Sequence, residues 1–188
     1  MPPAALAPIE SEPGTPLVVW RGESSGFLFD EFDMDKTRAR SGFFFAEDRH
    51  QAEWYAGAGT RARAFHLKAS RVLDLRDPTA LIKDSSFLTF LANYQAFFDE
   101  WVDRGSGEAL DVLTAIEAGS LYDYEGDGSG ERWHALFRCA RNHGYDAVVA
   151  PDSTDGSTEP VWVVFAPHQI ERAAHFENEP VSRRPRLR

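Results

Sequence analysis

The chain has 188 residues, of which 43% are hydrophobic and 27% are charged. This composition is typical of one globular domain with a sizeable core, and it excludes an intrinsically disordered chain. The formal net charge is −10, so nucleic acid is an unfavourable partner, because an acidic surface repels phosphates. No apolar run approaches the length of a membrane span, and the N-terminus lacks the basic start and hydrophobic segment of a secretory signal. We expect a protein that is cytoplasmic, or that is delivered into a host or target cell without a conventional signal peptide.

Residues 1–15 are rich in Pro, Ala and Glu without periodicity, which predicts a disordered N-terminal lead. The predicted domain covers residues 16–178, and residues 179–188 form a basic C-terminal tail. The single cysteine, Cys139, lies in an apolar helical pattern and is expected to be buried and inert. No cysteine and histidine residues have the spacing of metal ligands, so we expect no metal.

The first strand, residues 16–22, ends in Arg21 and Gly22. An arginine at the end of an apolar strand is costly to bury without a partner. The glycine leaves its backbone N–H and C=O open to a ligand. Residues 23–40 predict a loop with one helical turn, whose aromatic residues we expect to pack locally. Arginines at positions 38, 40, 61 and 63 either meet a pyrophosphate or lie on a solvated surface.

A strand that runs directly into a helix follows between residues 42 and 57. The apolar run from Phe43 to Ala46 predicts a covered strand, and Asp48 predicts the N-cap of a helix that Gly57 ends. This arrangement aims Phe44 and Tyr55 toward one region, where two aromatic rings can stack on a flat ligand. The alternative is that both rings belong to the core.

The remaining pattern alternates short strands with helices. Strands are predicted at 61–68, 71–75, 146–150 and 161–166, and a last short strand is predicted to end at His175 and Phe176. Helices are predicted at 86–104, 108–118 and 131–142, with a flexible connection at 119–130. The order indicates an α+β domain in which His66 is a structural strand residue.

Three of these stretches together resemble the ADP-ribosyltransferase superfamily. Arg21-Gly22 matches the family's His-Gly, and residues 42–46 match its Gly-x-Tyr-Phe strand. Tyr55 matches the tyrosine at the end of the following helix, and Trp162 to Ile170 matches the last strand and its Gln-Ile turn. The similarity is strongest to the poly(ADP-ribose) polymerase and diphtheria-toxin-like branch and to small phage-associated transferases. Arginine in place of histidine and phenylalanine at Phe44 depart from the family pattern.

The resemblance implies an α+β, ADP-ribosyltransferase-like fold: two small, mostly antiparallel sheets around an NAD cleft, with a helical insert. It implies NAD+ as the substrate and a mono-ADP-ribosyltransferase that modifies a macromolecular, expected protein, target as a toxin or effector. Gly22 would bind the nicotinamide carboxamide, Tyr55 and Phe44 would hold its ring, and Arg21 would bind the ribose or a phosphate. Arg21 and Tyr55 are therefore both binding and catalytic candidates.

The catalytic carboxylate is the part of the family pattern that this sequence does not match. The family places a glutamate eight residues before the glutamine of the Gln-Ile turn, and that position is Val161 here. Glu159 precedes it by two residues and would point to the same face of an extended strand. We therefore select Glu159 as the third catalytic candidate, with Asp155 and Asp152 as looser ones. The alternative is that Glu159 is a solvated loop residue.

Other activities fit the same resemblance. Water in place of a target acceptor would make the chain an NAD glycohydrolase. The related RNA 2′-phosphotransferase also uses arginines on this fold, but it must bind RNA, which the net acidity disfavours. The departures from the family motifs also fit a degenerate, non-catalytic module that binds an NAD-like ligand.

Overall fold

A computed structural model describes residues 5–22, 32–37, 40–57, 61–76, 89, 129–151 and 159–178. Apart from Thr89, the predicted helices at 86–104 and 108–118 lie outside the described residues, as does most of the predicted connection at 119–130. The basic tail and the candidates Asp152 and Asp155 lie outside them as well. Among the described residues, no helix has the length and apolarity that crossing a membrane requires.

The described part of the chain is an α+β arrangement dominated by strands. The strands are β1 (Ala7–Pro8), β2 (Glu10–Glu12), β3 (Thr15–Pro16), β4 (Val19–Gly22), β5 (Phe43–Ala46), β6 (Ala62–Ala69), β7 (Val72–Asp74), β8 (Ala147–Pro151), β9 (Pro160–Val164) and β10 (Ile170–Arg172). The α-helices are α1 (Arg49–Ala56) and α2 (Ser129–Asn142). Short 3₁₀ helices cover Met34–Lys36, Pro167–Gln169 and Ala174–Asn178.

One hydrogen-bonded path connects most of the strands, in the order β1-β6-β4-β5-β9-β8-β7, with β10 also on β6. All neighbours are antiparallel except β7 and β8, which are parallel. β4 pairs with β6 through four residue pairs, and β5 pairs with β9 through four. β4 and β5 share a single pair, Trp20 with Ala46. The structure therefore differs from the expected two separate sheets, because this one pair joins the two halves into a single sheet.

The two faces of the sheet bury different partners. Alternation along β5 puts Phe43 and Phe45 on one face, in a buried cluster with Val19, Phe65 and other apolar residues. Phe44 points to the other face, where its ring meets Phe137 of α2 at a centroid distance of 5.4 Å. Each fully buried aromatic or aliphatic side chain contributes about 1.5–3 kcal/mol of transfer free energy. This burial holds both halves of the sheet in place.

The N-terminal residues correct one prediction. Residues 7–16 are not a disordered lead: β1 pairs with β6, and β2 and β3 pair with each other around Gly14, whose φ is +80°. Ile9 donates its N–H to the carbonyl of Leu67 at 2.8 Å and packs against the core cluster. The isolated apolar residue Ile9, between β1 and β2, therefore docks the segment onto β6, although the composition alone resembles disorder.

The C-terminal end of the domain also differs from expectation in one element. His175 and Phe176 lie in the 3₁₀ helix Ala174–Asn178, and the last strand is Ile170–Arg172 instead. The cause is Gln169, whose buried carboxamide oxygen accepts from the N–H groups of Phe165 and Ala166 at 2.9 and 2.8 Å. Its amide nitrogen donates to the carbonyls of Lys68 and Asp146 at 3.1 and 2.8 Å. Gln169 thus joins β6 to β9 and directs the following residues along β6.

Candidate functional site

A cavity lies where β4 and β5 separate. Past the pair of Trp20 and Ala46, Gly22 on β4 and Phe44 on β5 are not paired with each other. The cavity between them has a volume of about 250 Å³, slightly below the ~300–1,000 Å³ of typical ligand pockets. It is lined by three residues of β4 (Trp20, Arg21, Gly22), three of β5 (Phe44, Phe45, Ala46), three of α1 (Ala52, Tyr55, Ala56), and by Phe137, Ala150, Pro151 and Val161. We call it the split cavity.

The split cavity brings together four of the five predicted site residues. Arg21, Gly22, Phe44 and Tyr55 all line it. Glu159 does not belong to the lining; it lies immediately before β9, two residues from Val161, which does. The structure therefore places the binding candidates around one space, and their roles stay predictions.

Arg21 is the most unusual side chain of the cavity. Its guanidinium carbon lies 5.6, 5.9 and 5.7 Å from the ring centroids of Phe32, Phe43 and Phe45. Its Nη1 atom is buried and has no hydrogen-bond partner among the described residues. Burial lowers the pKa of Arg21 to about 10, so the group is still a cation at neutral pH. A buried cation with an unpaired donor is unfavourable unless an anion or another acceptor reaches it.

Gly22 has a packing reason to be glycine. An added Cβ would lie 2.1 Å from the carbonyl oxygen of Ala52 and 2.4 Å from the Cβ of Ala56. Helix α1 therefore crosses β4 at a distance that a larger side chain would not permit. The same close approach brings Tyr55 of α1 to the cavity. Gly22 can still offer its backbone to a ligand, but that role is not needed to explain the residue.

The two aromatic candidates differ in exposure. The Phe44 ring is held edge-on by Phe137 and by His134, whose centroid is 6.1 Å away. His134 is itself fixed by a buried hydrogen bond of 2.6 Å between its Nδ1 and the hydroxyl of Ser41. Tyr55 is 38% exposed, so Phe44 forms a fixed wall and Tyr55 stands between the cavity and solvent.

The helix that carries Tyr55 begins and ends as its sequence predicts. The carboxylate of Asp48 accepts from the N–H of Gln51 at 2.9 Å, and Gly57 closes the helix with a φ of +91°. On the outer side, the ring of Trp54 contacts that of Tyr55 at 5.2 Å, and Trp54 is 57% exposed. Trp54 is not part of the cavity lining.

Several lining residues were not among the sequence candidates. Trp20 precedes Arg21-Gly22 directly, and its ring lies 5.2 Å below the guanidinium of Arg49. Val161 is the position at which the family motif would place a glutamate, so its location on the cavity wall could have been anticipated. Phe137 carries no such signal, because it reaches the cavity only through the packing of α2 on Phe44.

No carboxylate lines the cavity among the described residues. Glu47, next to Ala46, accepts a hydrogen bond of 2.7 Å from the indole N–H of Trp162. Glu53 on α1 pairs with Arg49 at 3.1 Å. The described lining therefore combines aromatic side chains with one buried cation, Arg21, and contains no acidic residue. In the described part of the chain, no three acidic, histidine or cysteine side chains are grouped to hold a metal ion.

Comparisons with known proteins identify the family of this chain. The search of curated proteins finds no match. A crystal structure of an anti-CRISPR protein is similar with a TM-score of 0.48 and 15% identity, over 82% of this chain and 91% of that one. The family described as ADP-ribosyltransferase in polyvalent proteins matches residues 11–179, which confirms the resemblance to the ADP-ribosyltransferase superfamily. The chain belongs to this family of ADP-ribosyltransferases.

Proposed function

We propose that the chain is a mono-ADP-ribosyltransferase that cleaves NAD+ at the nicotinamide glycosidic bond and transfers ADP-ribose to a protein target. The observation that carries the proposal is the lining of the split cavity, which collects Arg21, Gly22, Phe44 and Tyr55. The family membership supports NAD+ as the substrate. Action as a toxin or effector is the hypothesis for its biological role.

The lining suggests how the substrate is held. The nicotinamide ring stacks on Tyr55, with Phe44 as the opposite, fixed wall. The edge of β4 at Gly22 is not paired with β5, so its backbone groups can bind the carboxamide. The unpaired donor of Arg21 binds a phosphate or the ribose, since a guanidinium forms strong, charge-assisted hydrogen bonds.

Bond cleavage then requires stabilisation of positive charge. The electron pair of the glycosidic C–N bond leaves with nicotinamide, and the ribose acquires oxocarbenium character, as in glycoside hydrolysis. A carboxylate stabilises that charge and orients the 2′-hydroxyl. We assign this role to Glu159, which lies two residues before the lining residue Val161. Residues two apart on an extended strand point to the same face. A nucleophilic side chain of the target attacks the anomeric carbon, a bond between them replaces the broken C–N bond, and the nucleophile releases its proton to water.

A second candidate function is favoured by a specific observation. Val161, at the position of the family's glutamate, lines the cavity, and no described lining residue is acidic. A cavity of this kind can bind an NAD-like ligand without cleaving it. Hydrolysis by water is the third possibility, since the same cleavage step serves both transfer and hydrolysis.

Nicotinamide release from NAD+ distinguishes enzyme from binder, and label transfer from NAD+ to proteins of a lysate distinguishes transferase from glycohydrolase. We expect both signals from the parent chain. Glu159→Gln should abolish nicotinamide release while NAD+ binding is retained, because it removes the charge and keeps the size. Trp54→Ala is the control variant, and it should release nicotinamide at the rate of the parent chain, since Trp54 lies outside the lining.

The outcomes separate the three functions. Nicotinamide release without labelled protein would indicate a glycohydrolase. Binding of NAD+ without release would indicate the non-catalytic module, and Val161→Glu should then introduce turnover. Undiminished turnover of Glu159→Gln would show that another acid acts. A parent chain that does not bind NAD+ would contradict the proposal.

A further inference from the structure

The first residues of β9 are held more weakly on one side than on the other. Pro160 lies directly opposite Pro151 of β8, and neither proline has an N–H to donate to the ladder. On the β5 side, the N–H of Glu47 donates to the carbonyl of Pro160 at 3.3 Å. The position of Pro160, and of Glu159 before it, therefore depends on β5 more than on β8.

The side chain of Glu47 adds a second attachment to the same strand. Its carboxylate accepts the hydrogen bond of 2.7 Å from the indole N–H of Trp162. Trp162 is 5% exposed and belongs to the buried core cluster with Phe45, and a hydrogen bond to a carboxylate is stronger than one between neutral groups. One residue thus holds β9 at its backbone and through a core side chain, on either side of Val161.

A cation completes the surroundings of this indole. The guanidinium carbon of Arg76 lies 5.8 Å from the centroid of the Trp162 ring, and Arg76 donates from its Nε to the carboxylate of Asp74 at 2.9 Å. The pKa of Arg76 is raised first by this hydrogen bond, and the negative charge of Glu47 also raises it. Glu47 is therefore close enough to interact with the charge of Arg76, and the indole is bound both at its N–H and at its ring.

We propose that Glu47 is a positioning residue: it holds the start of β9 through Pro160 and Trp162 and so keeps Glu159 beside the split cavity. The inference rests on the proposed function, in which Glu159 supplies the carboxylate that stabilises the oxocarbenium charge. Glu47 is not part of the described lining of the cavity, and its carboxylate is already bonded to Trp162. It therefore acts through β9 and not on the substrate.

The steady-state kinetics of nicotinamide release separate this role from a catalytic one. Glu47→Ala should lower kcat by roughly tenfold or more, because a displacement of about 1 Å at a reacting group can cost ~100-fold. The KM for NAD+ should stay within about twofold, since the binding candidates lie on β4, β5 and α1. Glu47→Gln keeps an acceptor oxygen for the indole and should retain most of the parent's turnover. A catalytic acid at Glu47 would instead lose as much turnover in Glu47→Gln as in Glu47→Ala.

The donor of this hydrogen bond provides an independent test. Trp162→Phe removes the indole N–H and keeps an aromatic ring, so it should lower kcat to a similar extent as Glu47→Ala. The double variant should lose no more than the larger single loss, because both changes break one contact. Glu171→Ala is the matched control: this carboxylate is 59% exposed and pairs with Lys68 at 2.7 Å, so its removal should leave kcat within about twofold of the parent.

Hydrogen exchange of the backbone amides tests the inference without any turnover. In Glu47→Ala and in Trp162→Phe, the amides of residues 161–164 in β9 should exchange faster than in the parent, while those of β6 should not change. Circular dichroism verifies that each variant is folded. If Glu47→Ala does not fold, the exchange and the kcat of Trp162→Phe decide.

Three results would overturn the inference: unchanged exchange of the β9 amides in Glu47→Ala, faster exchange with unchanged kcat, or a Glu47→Gln chain as inactive as Glu47→Ala. Failure of the proposed function looks different, because the parent chain itself would then release no nicotinamide. Faster β9 exchange on Glu47→Ala in such a chain would support the attachment of β9 by Glu47 and contradict the transferase. A parent with turnover and a Glu47→Ala variant with unchanged exchange would do the reverse.

Discussion

Replacement of Arg21 by methionine should change stability and ligand binding in opposite directions. Methionine has a similar length and no charge, so it fills the space among Phe32, Phe43 and Phe45 without an unpaired donor. Burial lowers the pKa of Arg21 to about 10, which corresponds to roughly 3 kcal/mol against the charged form in the folded chain. The three ring contacts at 5.6–5.9 Å return about 0.5–1 kcal/mol each. The net expectation is a stabilisation of about 1 kcal/mol, with ADP-ribose binding lost.

The pH dependence of this difference has a defined sign. The pKa of Arg21 is depressed in the folded chain, so folding disfavours its proton. The cost is fully present below the folded pKa of about 10 and declines as the pH rises above it. At neutral pH the parent therefore bears the whole cost, and the stability advantage of Arg21→Met should be constant between pH 6 and pH 9, about three pH units in which the group stays charged.

Urea and thermal unfolding of the parent and of Arg21→Met, each followed by circular dichroism, measure the difference in the free energy of unfolding. A gain of about 1 kcal/mol would raise the midpoint of thermal unfolding by about 2–4 °C in a chain of this size. Arg21→Lys is the matched control, because it keeps a buried cation and should not be stabilised. A loss of 1 kcal/mol or more in Arg21→Met, with normal folding otherwise, would refute the view that this cation is unsatisfied in the free chain.

Three further outcomes follow from the site and its surroundings. Tyr55→Ala should lose on the order of 1 kcal/mol or more of NAD+ affinity through the missing ring stack, whereas Trp54→Ala should not; equal affinity of Tyr55→Ala and the parent would place the ring elsewhere. Gly22→Ala should lower the free energy of unfolding by about 1–3 kcal/mol, since its Cβ would lie 2.1 Å from the carbonyl oxygen of Ala52. The urea midpoint should therefore fall, and an unchanged midpoint would contradict this close packing. Cys139 is 1% exposed and burial raises the pKa of its thiol to about 12, so a maleimide should label it only in denaturant, and rapid labelling of the native chain would show that the core opens.

Local sequence signals predicted the elements that carry the site. Asp48 and Gly57 mark the ends of α1 because each acts on backbone groups only a few residues away. The apolar run from Phe43 to Ala46 predicted a covered strand, and β5 buries Phe43 in the core cluster while Phe44 packs against Phe137 on the other face. The short motif Arg21-Gly22 and the helix residue Tyr55 could therefore be assigned to one region from their spacing and the family resemblance.

Other features depended on residues that are distant in the chain. Composition favoured disorder for residues 1–15, but the N–H of Ile9 finds an acceptor on β6, fifty-eight positions away at Leu67. The C-terminal prediction failed for a similar reason: Gln169 bonds to Lys68 and Asp146 and thereby sets where the last strand begins. Hydrogen bonds of this kind join positions that no local pattern connects.

The amino-acid sequence by itself indicated which residues could bind a ring and an anion. The tertiary structure decided that these residues line one cavity. The cavity exists because β4 pairs fully with β6 and only once with β5, and pairing register depends on the packing of the whole sheet. The same packing brings Phe137 and Val161 to the lining and leaves Glu159 beside it. A strand's sequence specifies which faces are apolar, whereas the point at which two strands part is set by everything packed on both sides of them.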